Sequence, residues 1–341
     1  MAPKNEDVIP ENYTYEWSAH SDVPLADFLT KYKPSMVQND GTKPWIWVRG
    51  VDSSAGVKGV EEAVKEASTL LGEVSKRVED IKNDDSIPVR SSKKTGARSK
   101  KEVREQTQAE ATEKLKEISE RHGYVNGKWL IFASADRVDV IWSSIATSLT
   151  SGPLKDTSAY CTKVSTSPEN DTPNYQHVIC VYMPNVYDKD AVTEVMKVLL
   201  RNHGVNLSGV KSDLYTVIGL DSKHSSGIPS TVWKNTTLLK DSEIKEMKEA
   251  FFSELSAKKA AASETKAQDA AESSKAKAVA EPKKKVLKKK VQDDDDPFAS
   301  DEGDEAPSKK PVSKKKPAST KKRPQEDESE EEVQPKKGRR K

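Results

Sequence analysis

The chain has 341 residues, 34% hydrophobic and 33% charged, with a formal net charge of +2 at pH 7. Near-neutrality excludes a polycation over the whole surface, so any attraction to nucleic acid has to come from local patches. No stretch approaches the ~18 apolar residues of a membrane span. Two cysteines point to reduced thiols in a non-secreted chain.

The first residues, MAPKNEDVIPENYTYEW, are acidic and polar, which is not a signal-peptide pattern; residues 1–12 are expected to be flexible. Trp45-Ile46-Trp47-Val48-Arg49 alternates after Pro44 and predicts a strand. From Val57 to Ile81 the apolar residues recur at 3-4 spacing, predicting a helix packed on its own sheet or paired with another chain. Asn83 to Lys101 is a polar insertion, followed by a helix from Val103 to His122 stopped at Gly123. A strand is expected over Gly127–Ala133, then Ser134 as N-cap of a helix with Val138, Ile141, Trp142, Ile145, Ala146 and Leu149 on one face. Ser151-Gly152-Pro153 ends that helix.

Ala159–Thr166 and Tyr175–Met183 read as two strands of a hairpin. Asp188 opens another helix, which ends at His203-Gly204. Leu214–Leu220 and Thr231–Lys234 read as the last strands and Asp241–Leu255 as the closing helix. The expected architecture is α+β, an antiparallel-rich sheet with helices packed on one face. One domain is expected over residues 13–255, interrupted by the insertion at 83–101.

Residues 256–341 are expected to form a disordered, low-complexity charged tail. From Pro282 onward there are 19 Lys/Arg against 14 Asp/Glu and one aromatic residue, Phe298. So little apolar surface does not offset the entropy of ordering. Three basic clusters fit a nuclear-targeting or nucleic-acid patch. They are Lys283-Lys284-Lys285, then Lys314-Lys315-Lys316 with Lys321-Lys322-Arg323, and finally Lys336-Lys337 with Arg339-Arg340. A merely solubilising tail is the other reading. Ser329, followed by three glutamates, has the pattern of an acid-directed phosphorylation site. The expected compartment is nucleus or cytoplasm, with import machinery as a partner and no membrane.

Catalytic signatures are absent from the sequence. The five histidines show no HxxxH or HxH spacing, and there is no CxxC, GxxxxGK[ST] or GxSxG. No metal, cofactor or enzymatic activity is expected. Cys161 and Cys180 would face each other if the hairpin were near-symmetric.

Aromatic placement carries more information. Alternation puts Trp45, Trp47 and Arg49 on one face of their strand and Ile46 and Val48 on the other. Flat rings beside a guanidinium are what single-stranded nucleic acid binding uses, at ~1–3 kcal/mol per stacked base. Lys163, His177, Lys223 and His224 are candidates for phosphate contacts. The alternative is ordinary packing, with both tryptophans covered by the segment from Trp17 to Tyr32.

Several stretches resemble the basophilic-leukaemia-expressed protein family. They are Trp129-Leu130-Ile131-Phe132 entering a helix that carries Trp142, Thr162-Lys163-Val164-Ser165-Thr166, Val178-Ile179-Cys180-Val181-Tyr182 and Tyr215-Thr216-Val217-Ile218-Gly219. The resemblance covers roughly residues 13–250 and excludes the tail. That family is similar in fold to translation initiation factor 4E, so the resemblance implies a curved antiparallel sheet backed by helices. It also implies a nucleotide end held between tryptophans, for which Trp45, Trp47 and Trp233 are candidates without matching spacing, and a partner helix docked near Trp142. The two expectations are therefore a reader of RNA or a nucleotide end and a protein-interaction adaptor that uses the helical face.

Overall fold

Strict alternation makes the strands and 3.6-residue stripes make the helices, with caps marking their ends. The computed structural model describes residues 9–50, 59–170 and 172–274. In chain order the elements are β1 (Glu16–Trp17), α1 (Leu25–Lys31), β2 (Trp45–Arg49), α2 (Val60–Asn83), α3 (Lys100–His122), β3 (Gly127–Ser134), α4 (Val138–Ser151), a 3-10 turn (Pro153–Asp156), β4 (Cys161–Ser165), β5 (Gln176–Met183), α5 (Lys189–His203), β6 (Leu207–Ser212), α6 (Asp213–Val217), α7 (Asn235–Leu238) and α8 (Asp241–Ser274). All lie in one unit, Met1–Ser300; the other unit, Asp301–Lys341, falls outside the described residues.

The six strands form one sheet in the order β1-β2-β4-β5-β3-β6. The short edge strand β1 runs parallel to β2, and the other pairings are antiparallel. An α+β fold with an antiparallel-rich sheet is thus what the chain adopts. Alternation sends Ile46, Val48, Trp129, Ile131, Val164, Ile179 and Val181 to one face. There they meet Trp142, Ile145 and Leu149 of α4 and Val192, Val195, Met196 and Leu199 of α5. Each such side chain contributes roughly 1.5–3 kcal/mol by burial. Helix α5 starts where expected, with Asp188 accepting bonds from the amides of Asp190 and Ala191, and ends at Gly204 in the left-handed region (φ 59°).

Several expectations need correcting. Helix α2 does not lie on the sheet: Ala63, Ala67, Leu71, Val74 and Val78 pack on Ala111, Leu115 and Ile118 of α3 and on Leu214 and Tyr215 of α6, a second apolar cluster. Val57 lies outside the described residues. The stretch 214–220 is helical at its start because Ser212 caps the Leu214 amide and Leu214 and Tyr215 drop into that cluster; the strand precedes it, at Leu207–Ser212. Thr231–Lys234 contributes one bridge, Val210 with Trp233. Ser134 is the last residue of β3, held extended opposite Gln176, and Arg137 takes the N-cap position of α4.

Within the polar insertion, Ser92 bridges to Ala97, and Ser99 with Glu102 forms a capping box that starts α3. At the start of the described residues, Ile9 packs against the cluster of Trp47, Cys161, Cys180 and Tyr182. Helix α8 runs past residue 255 to Ser274.

Candidate functional site

The face of the sheet turned away from α4 and α5 is built by three neighbouring strands. Register places Trp47 opposite Lys163 and Trp45 opposite Ser165, and then Lys163 opposite Cys180 and Cys161 opposite Tyr182. The alternation read from β2 is therefore correct, since Trp47 joins Cys161, Cys180 and Tyr182 in a cluster separate from the helix-side core.

Lys163 sits in the middle of the rings. Its Nζ is 4.0 Å from the Trp45 ring centroid, 4.8 Å from Trp47 and 5.7 Å from Tyr182. Trp47 and Tyr182 are themselves stacked, at 5.8 Å between centroids and 26° between planes. Lys163 is 2% exposed and Trp47 4% exposed. The negative ring faces offset part of the ammonium's desolvation, a contact worth ~2 kcal/mol or more when water is excluded. Tyr13 closes one end, its hydroxyl donating to the Trp45 carbonyl at 2.7 Å. Burial pushes that phenol up to about 12. The covering residues are thus Ile9 and Tyr13, whereas Trp17 and Tyr32, expected to cover the tryptophans, join the helix-side core.

A second buried lysine adjoins this box. Lys128 Nζ lies 3.0 Å from Asp213 Oδ1 and 5.1 Å from the Tyr182 centroid, with the Lys128 and Asp213 side chains 4% and 8% exposed. Arg49, on the rim, is half-exposed and holds Glu16 at 2.6 Å. Cys161 and Cys180 are not opposite each other, and no disulfide joins them. Burial pushes the Cys161 thiol up to about 12, so it carries no thiolate at neutral pH.

The structure brings Trp45, Trp47 and Lys163 together, with Arg49 at the edge, and separates the other candidates from them. Lys223 is exposed on the loop after α6, whose Leu220 and Ile228 belong to the α2–α3 cluster. His224 on the same loop pairs with Ser226. His177 lies opposite Ala133, on the helix side of the sheet. Trp233 donates its indole N–H to the Val186 carbonyl at 2.7 Å. Trp142 is fully buried among α4, α5 and the sheet, so it presents no docking surface. The basic clusters from Lys283 onward and Ser329 lie outside the described residues.

Tyr182, Tyr13, Lys128 and Asp213 are the members of this site that sequence reasoning missed. For Tyr182 the signal was present, since it shares period-two alternation with Cys180. No cluster of His, Cys, Asp or Glu among the described residues is arranged to hold a metal ion, and none of their helices is long and apolar enough to cross a membrane.

On the α2–α3 layer, an open groove of about 600 Å³ runs between the two helices, with Leu70 and Ile118 along it and Glu62, Lys65, Glu73 and Lys114 at its sides. At one end Glu66 holds Arg121 at 2.5 Å and His122 at 3.0 Å, and these partners keep its carboxyl below the usual range.

These features define an α+β protein with a helix layer on one sheet face and an aromatic, lysine-filled cluster on the other. Residues 3–216 match the family of basophilic leukemia-expressed protein Bles03, and the chain belongs to that family. The match contains Trp45, Trp47, Lys163 and Tyr182 and ends within α6.

Proposed function

We propose that the chain is a non-enzymatic binding protein whose domain, 4E-like as its sequence resemblance implies, docks a partner protein helix along the α2–α3 groove. One observation carries this reading: Trp45 and Trp47 hold Lys163 between them, and Trp47 and Lys163 are nearly inaccessible. With Lys163 against both rings and Trp47 buried, this face offers a base no free pair of rings to stack between. The groove, in contrast, is open, has Leu70 and Ile118 along its length and carries both signs of charge at its sides. That combination suits one face of an amphipathic helix. The basic clusters of the C-terminal region would serve nuclear import and add salt-sensitive attraction to nucleic acid.

The test has two arms on the full chain. Titration with methylated cap analogue, guanine nucleotide and short single-stranded RNA, followed by tryptophan fluorescence, is expected to give no saturable quenching. Saturable quenching by any of them would return the aromatic face to the role of a nucleotide reader. A photo-crosslinking residue at position 70 is expected to capture a partner that one at exposed position 140 does not, and Leu70→Asp should abolish binding of that partner. Equal capture at both positions would remove the groove from consideration.

A further inference from the structure

The stretch between α2 and α3 concentrates positive charge. From Ser86 to Lys101 there are six Lys or Arg residues and no Asp or Glu. The backbone there is ordered: the Ser92 amide donates to the Ala97 carbonyl and the Gly96 amide to the Ser92 carbonyl, each at 2.9 Å. Gly96 takes the left-handed conformation (φ 70°) that this reversal needs. The Lys100 amide closes the base of the turn on the Pro88 carbonyl at 2.9 Å.

Only part of this charge is used within the fold. Lys100 Nζ donates to the Lys82 carbonyl, Arg98 donates to Gln106, and Lys101 lies 3.7 Å from Glu105. Of the flanking acids, Asp84 accepts from Ser86 and Glu102 from Ser99. Arg90, Lys93 and Lys94 are exposed and make no ion pair or side-chain hydrogen bond with the described residues. An ordered turn that holds like charges side by side bears a repulsion that an anion lying across it relieves. The positive end of the α3 dipole, which begins at Lys100, adds to the same field.

We propose that this turn contacts the phosphate backbone of a nucleic acid through Arg90, Lys93 and Lys94, without regard to base sequence. A row of point charges is all that a repeating phosphate backbone requires, and such contacts carry no base preference. A single phosphate would leave part of the row uncompensated. A protein partner needs pockets for buried anchors, and the turn lines neither the α2–α3 groove nor the clefts beside Pro229 and Tyr175. No aromatic residue lies between Ser86 and Lys101, so bases do not stack there and tryptophan fluorescence does not report the contact. Lys100 meets Lys82 and Arg121 meets Glu66, so α2 and α3 are antiparallel and the turn lies at the far end of the pair from Glu66. Along α2 that is roughly 25 Å at 1.5 Å per residue, and the site stands independently of the docking groove.

The test uses the full chain and the fluorescence anisotropy of a labelled, short single-stranded RNA of mixed sequence, measured over a range of salt. Combining Arg90→Gln, Lys93→Gln and Lys94→Gln should weaken binding roughly tenfold or more. The slope of log affinity against log salt should fall by about 2, at ~0.7 per phosphate contact. The unfolding temperature should stay unchanged, since these side chains are exposed. Lys93→Arg with Lys94→Arg should keep the original affinity and slope, and ultraviolet crosslinks to the RNA should map to residues 88–101. Unchanged affinity and slope in the triple variant, or crosslinks confined to residues beyond 282, would overturn the proposal. So would equal competition by polyglutamate, or binding to phosphatidylserine vesicles that depends on these three residues with none to RNA. Leu70→Asp should leave RNA affinity unchanged, which separates a failure of this site from a failure of the groove.

Discussion

The two faces of the sheet bury comparable rings by different means. On the helix side Trp129 is 0% exposed among aliphatic residues such as Val192, Val195 and Ile131. The ring's contribution is area removed from water, which tolerates small shifts. On the opposite face Trp47 is buried almost as fully, yet its neighbours are Lys163, two thiols and Tyr182, with Lys128 and Asp213 beyond. Burial there depends on each charge keeping its partner. An apolar face loses stability in proportion to what is deleted, whereas a charged face loses most when one partner is removed and the other left behind.

The largest effect is expected on the helix side. Trp129→Ala should cost about 3–5 kcal/mol by the loss of a fully buried ring, seen as a lower urea midpoint. On the other face, Asp213→Ala leaves Lys128 buried without its carboxylate and should cost roughly 3 kcal/mol. Replacing Lys128 by Met in the same variant should recover much of that loss, and no recovery would mean that Asp213 acts through something other than this pair.

Acidification separates the faces by another route. His203, on α5 beside Ser144, is held by burial at about 4, below its ordinary 6.5. The unfolded chain therefore binds this proton first. Stability from His203 is complete above pH 6.5 and falls as pH drops toward 4, by up to roughly 3 kcal/mol at ~1.4 kcal/mol per pH unit. His177 shifts in the same direction for the same cause and adds to the loss. Denaturant titrations at pH 7 and pH 4.5 would measure the difference, and His203→Asn should flatten the profile.

The smallest effect is the sharpest test of the aromatic box. Lys163→Met keeps the length of the side chain and removes the charge, so stability should change by about 1 kcal/mol or less, in either direction. A loss of several kcal/mol would mean that the cation itself organises Trp45, Trp47 and Tyr182.

Much of this was legible in advance because it is local. The alternation of residues 45–49, the stripe from Val138 to Leu149, the Asp188 cap and the stop at Gly204 follow from periods and capping that neighbouring residues set among themselves. Which pairs of residues meet was not legible. Lys163 looked like a phosphate contact because a lysine on a strand is usually solvated, and only the pairing of β2 with β4 inserts it between two tryptophans. Trp142 looked like a docking residue on its helix, and only the presence of α5 on the same face buries it. The stretch after Ser212 has the β-branched and aromatic residues of a strand, but the α2–α3 cluster takes Leu214 and Tyr215 and leaves the segment helical. By itself the sequence determined most of the longer helices and strands, their apolar stripes and the sign of the charge along the chain. Tertiary structure decided which polar groups are buried, because burial is a property of contacts between residues far apart in the chain, and spacing carries no record of them.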